Sequence, residues 1–298
     1  MQLENIPFKL GIQPIAWINQ GIPEFPDLYS SEEIIREMAS LGFSGTEMNP
    51  KFMEEDNFES ILENYGMEIA SQWKSVTFSD ASLRDSELTG FKQHADFLNK
   101  MGCKAVIVCE MGGSDLSIPQ RNFVEPLNEE QWDSLVKGLE LAGEYCNSLG
   151  MDLVYHHHAA TAIETEGEIG RLMDMTDHRS VSMLFDTGHA YYGGADPYAL
   201  LMKYFDRIKY VHLKDVRKGK IENCLRNKEK FKEGVMNGMF TVPGDGDIDF
   251  APILEMLVMR KYDGWALIEA EQHPEKANPY RYSKSAKEYI ENLVLAMD

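Results

Sequence analysis

The chain has 298 residues, 43% of them hydrophobic and 26% charged, values that exclude a disordered chain and fit a globular one. Asp and Glu total 49 against 29 Lys and Arg, giving a formal net charge of −20. Such a surface repels nucleic acid and anionic lipid, because cationic side chains supply the affinity for both, so a small neutral substrate or a metal ion is the expected partner.

Short apolar strands alternate with longer amphipathic helices. Residues 8–14 form the first strand candidate. Ser30 with Glu33 has capping-box spacing, Ile34, Ile35, Met38 and Leu41 follow at helical spacing, and Gly42 ends the helix. The next strand is 45–48; residues 57–65 read as a helix ended by Gly66, with a strand over 67–73. A helix over 86–101 precedes a strand at 103–109, and a long helix over 128–149 precedes one at 151–157. Thr165 with Glu168 repeats the capping box, and 181–186 is the sixth strand. Asp196-Pro197 gives an N-cap with Pro at the first helical position, and 208–213 is the seventh strand. Asp249 caps a helix running to 259, 265–270 is the last strand, and 283–296 is the closing helix.

Eight strands alternating with about eight helices imply parallel strands joined by right-handed crossovers. In a chain of this length they predict a single-domain α/β fold over 1–298, a (β/α)8 TIM barrel. An open doubly wound sheet would carry a glycine-rich turn after its first strand, where Pro14-Ile15-Ala16-Trp17 stands instead. Two connections are longer than a barrel needs, at 110–127 and 214–247, the second with a small helix around 223–235. Long βα loops of a barrel sit over its active site.

Cys103, Cys109, Cys146 and Cys224 form no C-x-x-C pair and two lie in an apolar run, so they predict a reducing compartment. The first residues have no basic and apolar leader pattern, and no apolar run is long enough for a membrane span. A cytoplasmic protein, away from membranes, is the expectation. Asp245-Gly246-Asp247-Ile248-Asp249 begins like a calcium loop, but Phe250 and Met256 occupy the positions that need Gly and Glu, so it reads as a turn into a helix cap.

A barrel brings the C-terminal ends of its strands to one mouth. Here those ends carry Glu47 (then Lys51), Trp73-Lys74, Glu110, His156-His157-His158, Asp186 with His189, His212 with Lys214 and Asp215, and Glu269 with Glu271. Carboxylates and imidazoles together suit a divalent ion such as Mn²⁺, Co²⁺ or Zn²⁺. Side chains alternate along a strand, so His156 and His158 share a face and His157 points away; one of the three is structural. Taken one at a time, Asp186 also reads as a helix cap, His212 as a core histidine and Glu269 or Glu271 as a rim charge.

Phe185-Asp186-Thr187-Gly188-His189, Val211-His212-Leu213-Lys214-Asp215 and Gly264-Trp265-Ala266-Leu267-Ile268-Glu269 resemble the sugar isomerase/epimerase branch of the xylose-isomerase-like barrels. That resemblance implies one metal ion at the barrel mouth with Asp186, His212 and Glu269 as ligands, and His189 in contact with substrate. The family has Glu for the fourth ligand; this chain has His156 there, or His158. Tyr155-His156-His157-His158 with Glu164-Thr165, Thr241 through Gly246, and Glu269-Ala270-Glu271-Gln272 with Lys276-Ala277-Asn278-Pro279 resemble the inosose dehydratases. Gly45-Thr46-Glu47, Lys51-Phe52, Pro14-Ile15 and Trp17 extend the likeness over nearly the whole chain.

The resemblance implies a hydro-lyase that takes water from 2-keto-myo-inositol, a cyclic keto-polyol, with Mn²⁺ or Co²⁺ (Zn²⁺ as an alternative), in a homo-oligomer. Glu269 or His189 would be the base, and a histidine of the triple-His segment, His158 among them, or Lys74 would assist departure of water. Glu47 is a further catalytic candidate, and Trp17, Lys51, Glu110, His157, Lys214 and Glu271 are candidate substrate contacts. The rival reading is a sugar or keto-polyol isomerase or epimerase, which would use the same enediolate and return the proton elsewhere.

Overall fold

The computed structural model describes residues 6–112, 114 and 125–297, so most of the long connection at 110–127 lies outside the described residues. The chain divides into two compact units, Met1–Ala70, Val211–Cys224 and Lys232–Asp298 forming the first and Ser71–Tyr210 with Leu225–Phe231 the second.

The first unit opens with β1 (Lys9–Ile12) and α1 (Ser31–Ser40). The capping box is complete: the Ser30 hydroxyl accepts from the Glu33 N–H, and the Glu33 carboxylate accepts from the Ser30 N–H. Ile34, Ile35 and Met38 are buried on one face, as their spacing requires. Then come β2 (Gly45–Thr46), α2 (Pro50–Met53), α3 (Phe58–Tyr65) and β3 (Glu68–Ile69), with β2 parallel to both β1 and β3. Gly45 has to be glycine, since a Cβ there would overlap the Trp265 ring and sit 2.8 Å from the Glu68 carbonyl.

The segment read as one strand over 67–73 is two. Glu68 and Ile69 pair with β2, whereas β4 (Trp73–Val76) pairs with β5 (Ala105–Glu110). The partner changes between adjacent residues: the Ala70 N–H reaches the Thr46 carbonyl at 2.8 Å, and the Ser71 hydroxyl reaches the Ala105 carbonyl at 2.8 Å. Apolar patterning reports burial and not the identity of a neighbour, so the break is invisible to it.

The second unit continues through α4 (Arg84–Lys100), β5, α5 (Glu129–Ser148), β6 (Asp152–His156), α6 (Glu166–Met175), β7 (Ser182–Asp186), α7 (Thr187–Tyr192) and α8 (Pro197–Tyr204). Strands β4 to β7 pair in chain order, all parallel, and every residue of β5 is buried. Capping boxes at Asn128/Gln131 and Thr165/Glu168 start α5 and α6. Helix α7 has no place in the run of expected helices, but the alternative reading of Asp186 as a helix cap holds: Asp186, the last residue of β7, caps α7 directly, accepting from the His189 N–H at 2.8 Å. Cys103, Cys109, Cys146 and Cys224 are all buried, and none is in a disulfide.

Strand β8 (Ile208–Leu213) has its first three residues in the second unit and its last three in the first. Strand order is β4-β5-β6-β7-β8 in the second unit and β8-β11-β1-β2-β3 in the first, where β11 is Trp265–Ile268. Between β8 and β11 stand β9 (Asp215–Val216), α9 (Lys218–Asn227), α10 (Phe231–Met236), β10 (Phe240–Thr241) and α11 (Ala251–Met259). The 214–247 segment therefore holds two helices and an antiparallel strand pair, where one small helix was expected. The closing helix α12 (Pro279–Leu295) starts four residues before the expected 283, because Asn278 caps it and Pro279 takes its first position. The cap of α11 falls on Phe250 and not on Asp249, although the Asp249 carboxylate does accept from the Ala251 N–H at 3.1 Å.

The Asp-Gly-Asp-Ile-Asp turn wraps a carboxylate of its own chain. Buried Asp215 accepts from the N–H groups of Val216 (2.7 Å), Gly244 (3.1 Å), Gly246 (3.0 Å) and Ile248 (3.0 Å). Burial raises its pKa and these four donors pull it down. Gly244 is left-handed at φ 88°, and a Cβ on Gly246 would overlap the Asp215 carboxylate. Among the described residues no helix is long and apolar enough to cross a membrane.

Two glycines separate helix propensity from packing. Gly90 lies inside α4, where an added methyl would have nothing within 4 Å, so Gly90→Ala is expected to stabilise by about 1 kcal/mol. Gly143 lies inside α5 against the Ser180 carbonyl, so Gly143→Ala is expected to cost about 1–3 kcal/mol net, and paired thermal melts check both signs. Asp215→Ala strands the Gly244, Gly246 and Ile248 N–H groups. A loss of about 3 kcal/mol or more, read from the denaturant midpoint, is expected.

Candidate active site

In the second unit the ionisable residues cluster at the ends of β6 and β7. The parallel register sets His156 beside Leu184, two residues before Asp186. The His156 Nε2 lies 3.7 Å from the Asp186 Oδ2, and its Nδ1 lies 2.7 Å from the His157 carbonyl. A carbonyl only accepts, so in the neutral ring Nδ1 carries the proton and Nε2 turns its lone pair toward the Asp186 side. His157 faces the other way, as strand alternation requires, and accepts from the Asp186 N–H at 3.4 Å.

The His158 and His189 rings pack with centroids 3.8 Å apart, tilted 39° to each other, and are set in opposite tautomers. The His158 Nδ1 meets the Ala159 carbonyl at 2.8 Å, which leaves the lone pair on Nε2. The His189 Nδ1 accepts from the Ala159 N–H at 3.2 Å, which puts the proton on Nε2. One loop residue thus fixes both rings through its two backbone groups. Trp73 lies edge-on to His156 and His158, at 5.3 and 5.4 Å, and Phe231 flanks His158 at 5.6 Å and His189 at 6.3 Å. Lys74 is half-buried on β4 opposite Val108. Glu110 is buried with its carboxylate on local donors, the Ser79 N–H and hydroxyl and the Gly112 N–H, at 2.8–3.1 Å. Burial raises its pKa and these donors oppose the rise.

In the first unit a second buried set forms around His212. Its Nε2 lies 2.6 Å from the Glu47 Oε1, and its Nδ1 is in contact with the Glu269 Oε2. Lys214, wholly buried, sets its ammonium 2.7 Å from the Glu269 Oε1 and 3.1 Å from the Glu271 Oε2, over the Phe240 ring at 4.9 Å. Two carboxylates face the Lys214 ammonium and a third, Glu47, faces the His212 ring, an excess of negative charge that suits a cation. Trp17 is fully buried and donates its indole N–H to Glu37 at 2.7 Å, while Lys51 lies at 2.6 and 2.7 Å from the two oxygens of Asp27.

Sequence reasoning missed Gln13 and Phe231. Gln13 donates to the Glu47 Oε2 at 2.9 Å. It follows β1 directly and was hidden because the first strand was drawn through it. Phe231 sits in the long 214–247 segment, where no pattern distinguishes a site aromatic from a packing one. Buried imidazole and carboxylate donors, the groups that hold divalent ions, stand in each unit: His156 and Asp186 in the second, His212 and Glu269 in the first.

The family model for the xylose isomerase-like TIM barrel matches residues 35–293. An inosose dehydratase of Geobacillus kaustophilus is 49% identical over 293 residues, 97% of this chain and 95% of the relative. One from Clostridium perfringens (strain 13 / Type A) is 44% identical over 290 residues, 96% of this chain and 97% of the relative. Among solved structures, the probable 3-DHS dehydratase AsbF of Bacillus anthracis matches with a TM-score of 0.73 at 16% identity, covering 94% of this chain and 98% of that one. An L-ribulose 3-epimerase matches with a TM-score of 0.70 at 16% identity, covering 97% and 95%. At that identity these structures show the fold alone, a (β/α)8 barrel. The chain belongs to the xylose isomerase-like TIM barrel family and, within it, to the inosose dehydratases.

Proposed function

We propose that this enzyme is a metal-dependent hydro-lyase that removes water from 2-keto-myo-inositol to give a trihydroxycyclohexane-1,2-dione. The observation that carries the reading is near-full-length similarity to inosose dehydratases at 40–49% identity. A neutral polyol also suits a chain of net charge −20.

His156, Asp186, His212 and Glu269 would hold the ion. Two imidazoles and two carboxylates fit a divalent transition ion, Mn²⁺ or Co²⁺, with Zn²⁺ compatible with the same donors. When bound, the ion supplies Lewis acidity toward the ketone. The remaining work falls to side chains. A carboxylate oxygen of Glu269, or the Nε2 lone pair of His158, takes the proton α to the ketone. The Nε2–H of His189 is set to donate to the departing β-hydroxyl, with Lys74 as the other candidate donor. Loss of that proton and that hydroxyl removes one water, and the enol left behind tautomerises to the dione. Lys214 binds and steadies Glu269 and Glu271, and Trp73 and Phe231 offer apolar ring faces to the C–H side of a cyclic polyol. Four buried cysteines outside any disulfide suit the reducing cytoplasm, and the homo-oligomer implied by the sequence resemblance belongs to the same proposal.

The test is a dehydration assay on chelator-treated protein restored with Mn²⁺ or Co²⁺ and given 2-keto-myo-inositol, with product followed by ultraviolet absorbance and mass. Activity is expected only with metal. Asp186→Asn and His212→Ala are each expected to lower it by about 100-fold or more. A folded sample that epimerises or isomerises the substrate without losing water would reject the lyase in favour of the sugar isomerase reading.

A further inference from the structure

Glu47 is a buried carboxylate with both oxygens engaged. Its Oε1 lies 2.6 Å from the His212 Nε2, and its Oε2 accepts from the Gln13 side-chain amide at 2.9 Å. Gln13 is itself fixed, its own oxygen accepting from the Ile15 N–H at 3.0 Å. The sheet register explains the arrangement. Ile12 on β1 pairs with Thr46 on β2, so the next residues of the two strands, Gln13 and Glu47, emerge side by side. A carboxylate 1% exposed is costly to bury unless it is paired, and Glu47 is paired through both of its oxygens.

We infer that Glu47 is the positioning residue of His212: it holds the proton on Nε2, aims the ring, and so presents the Nδ1 lone pair, on the Glu269 side, to a divalent cation. The inference rests on the proposed metal-dependent function and gives Glu47 a role other than acid or base. A carboxylate bonded to the far nitrogen of a ligand imidazole fixes its tautomer and raises its basicity, and losing such a partner lowers metal affinity by roughly 10–100-fold. Gln13 extends the relay by one step, from the β1 end through Glu47 to the ring.

The experiment titrates Co²⁺ into chelator-treated protein, by calorimetry and by the visible absorption of the bound ion, with apo melting as the folding control. Glu47→Met keeps the volume and removes the acceptor; it is expected to weaken Co²⁺ roughly 10–100-fold and to shift the absorption band. Glu47→Gln keeps an oxygen that accepts from Nε2–H and is expected to restore most of both. A purely space-filling Glu47 predicts the opposite, with Met as good as the native residue. If Glu47→Met does not fold, Gln13→Met is read the same way, with a smaller loss expected. Wild-type affinity and spectrum in the folded variant, while His212→Ala abolishes binding, would overturn the positioning role and leave the metal reading standing. Wild-type protein that fails to bind Co²⁺, or His212→Ala that binds it unchanged, would overturn both.

Discussion

A charged group removed from water costs several kcal/mol unless opposite charge and hydrogen bonds offset the loss. This constraint governs the ends of the strands. Glu47, Asp186, Glu269 and Glu271 are all buried, and each is tied to a neighbour supplied by the fold. Lys214 lies between Glu269 and Glu271, and His212 lies between Glu47 and Glu269. Asp186 directs one oxygen to the first turn of α7, where the helix N-terminus favours negative charge. These arrangements set side-chain directions to within a hydrogen bond, which is the preorganisation that a metal site or a proton-transfer site requires.

The parallel sheet makes this placement systematic. Strand register puts His156 beside Leu184 and Gln13 beside Glu47, so chemistry at the end of one strand meets chemistry at the end of the next. The central strands are mainly apolar, and every residue of β5 is buried, including the Glu110 that closes it. Strands therefore place the ionisable groups: His156, Asp186 and His212 stand on them, and Glu47, His158, Lys214, Glu269 and Glu271 follow within a few residues of a strand end.

Much of this was legible in the sequence because it is local. Capping boxes at Ser30 and Thr165, the Asp196-Pro197 start and the run of alternating strands and helices are written in spacing and appear as read. What was not legible depends on neighbours. The break between Ile69 and Trp73 reflects two different pairing partners. Helix α7 has no apolar periodicity to announce it; it exists because Asp186 caps it from the strand end. The residues at the strand ends were identifiable by type, but their settings were not. The opposite tautomers of His158 and His189 follow from the two backbone groups of Ala159, and the bonds of Trp17 to Glu37 and Lys51 to Asp27 follow from tertiary contact.

The Asp215 clasp has an evolutionary side. By gathering the N–H groups of Gly244, Gly246 and Ile248 onto one carboxylate at the foot of β9, it pins both ends of everything from α9 to β10. A segment with pinned ends behaves as a closed loop, and the entropy of a closed loop grows only with the logarithm of its length, about 0.6 kcal/mol per doubling. Residues can be added to or removed from the middle of this segment while β8 and β11 keep their places. The clasp makes the length of the segment negotiable while its ends, and the strands on either side, stay where they are; Phe231, packed on His158 and His189, is the part of it that is not.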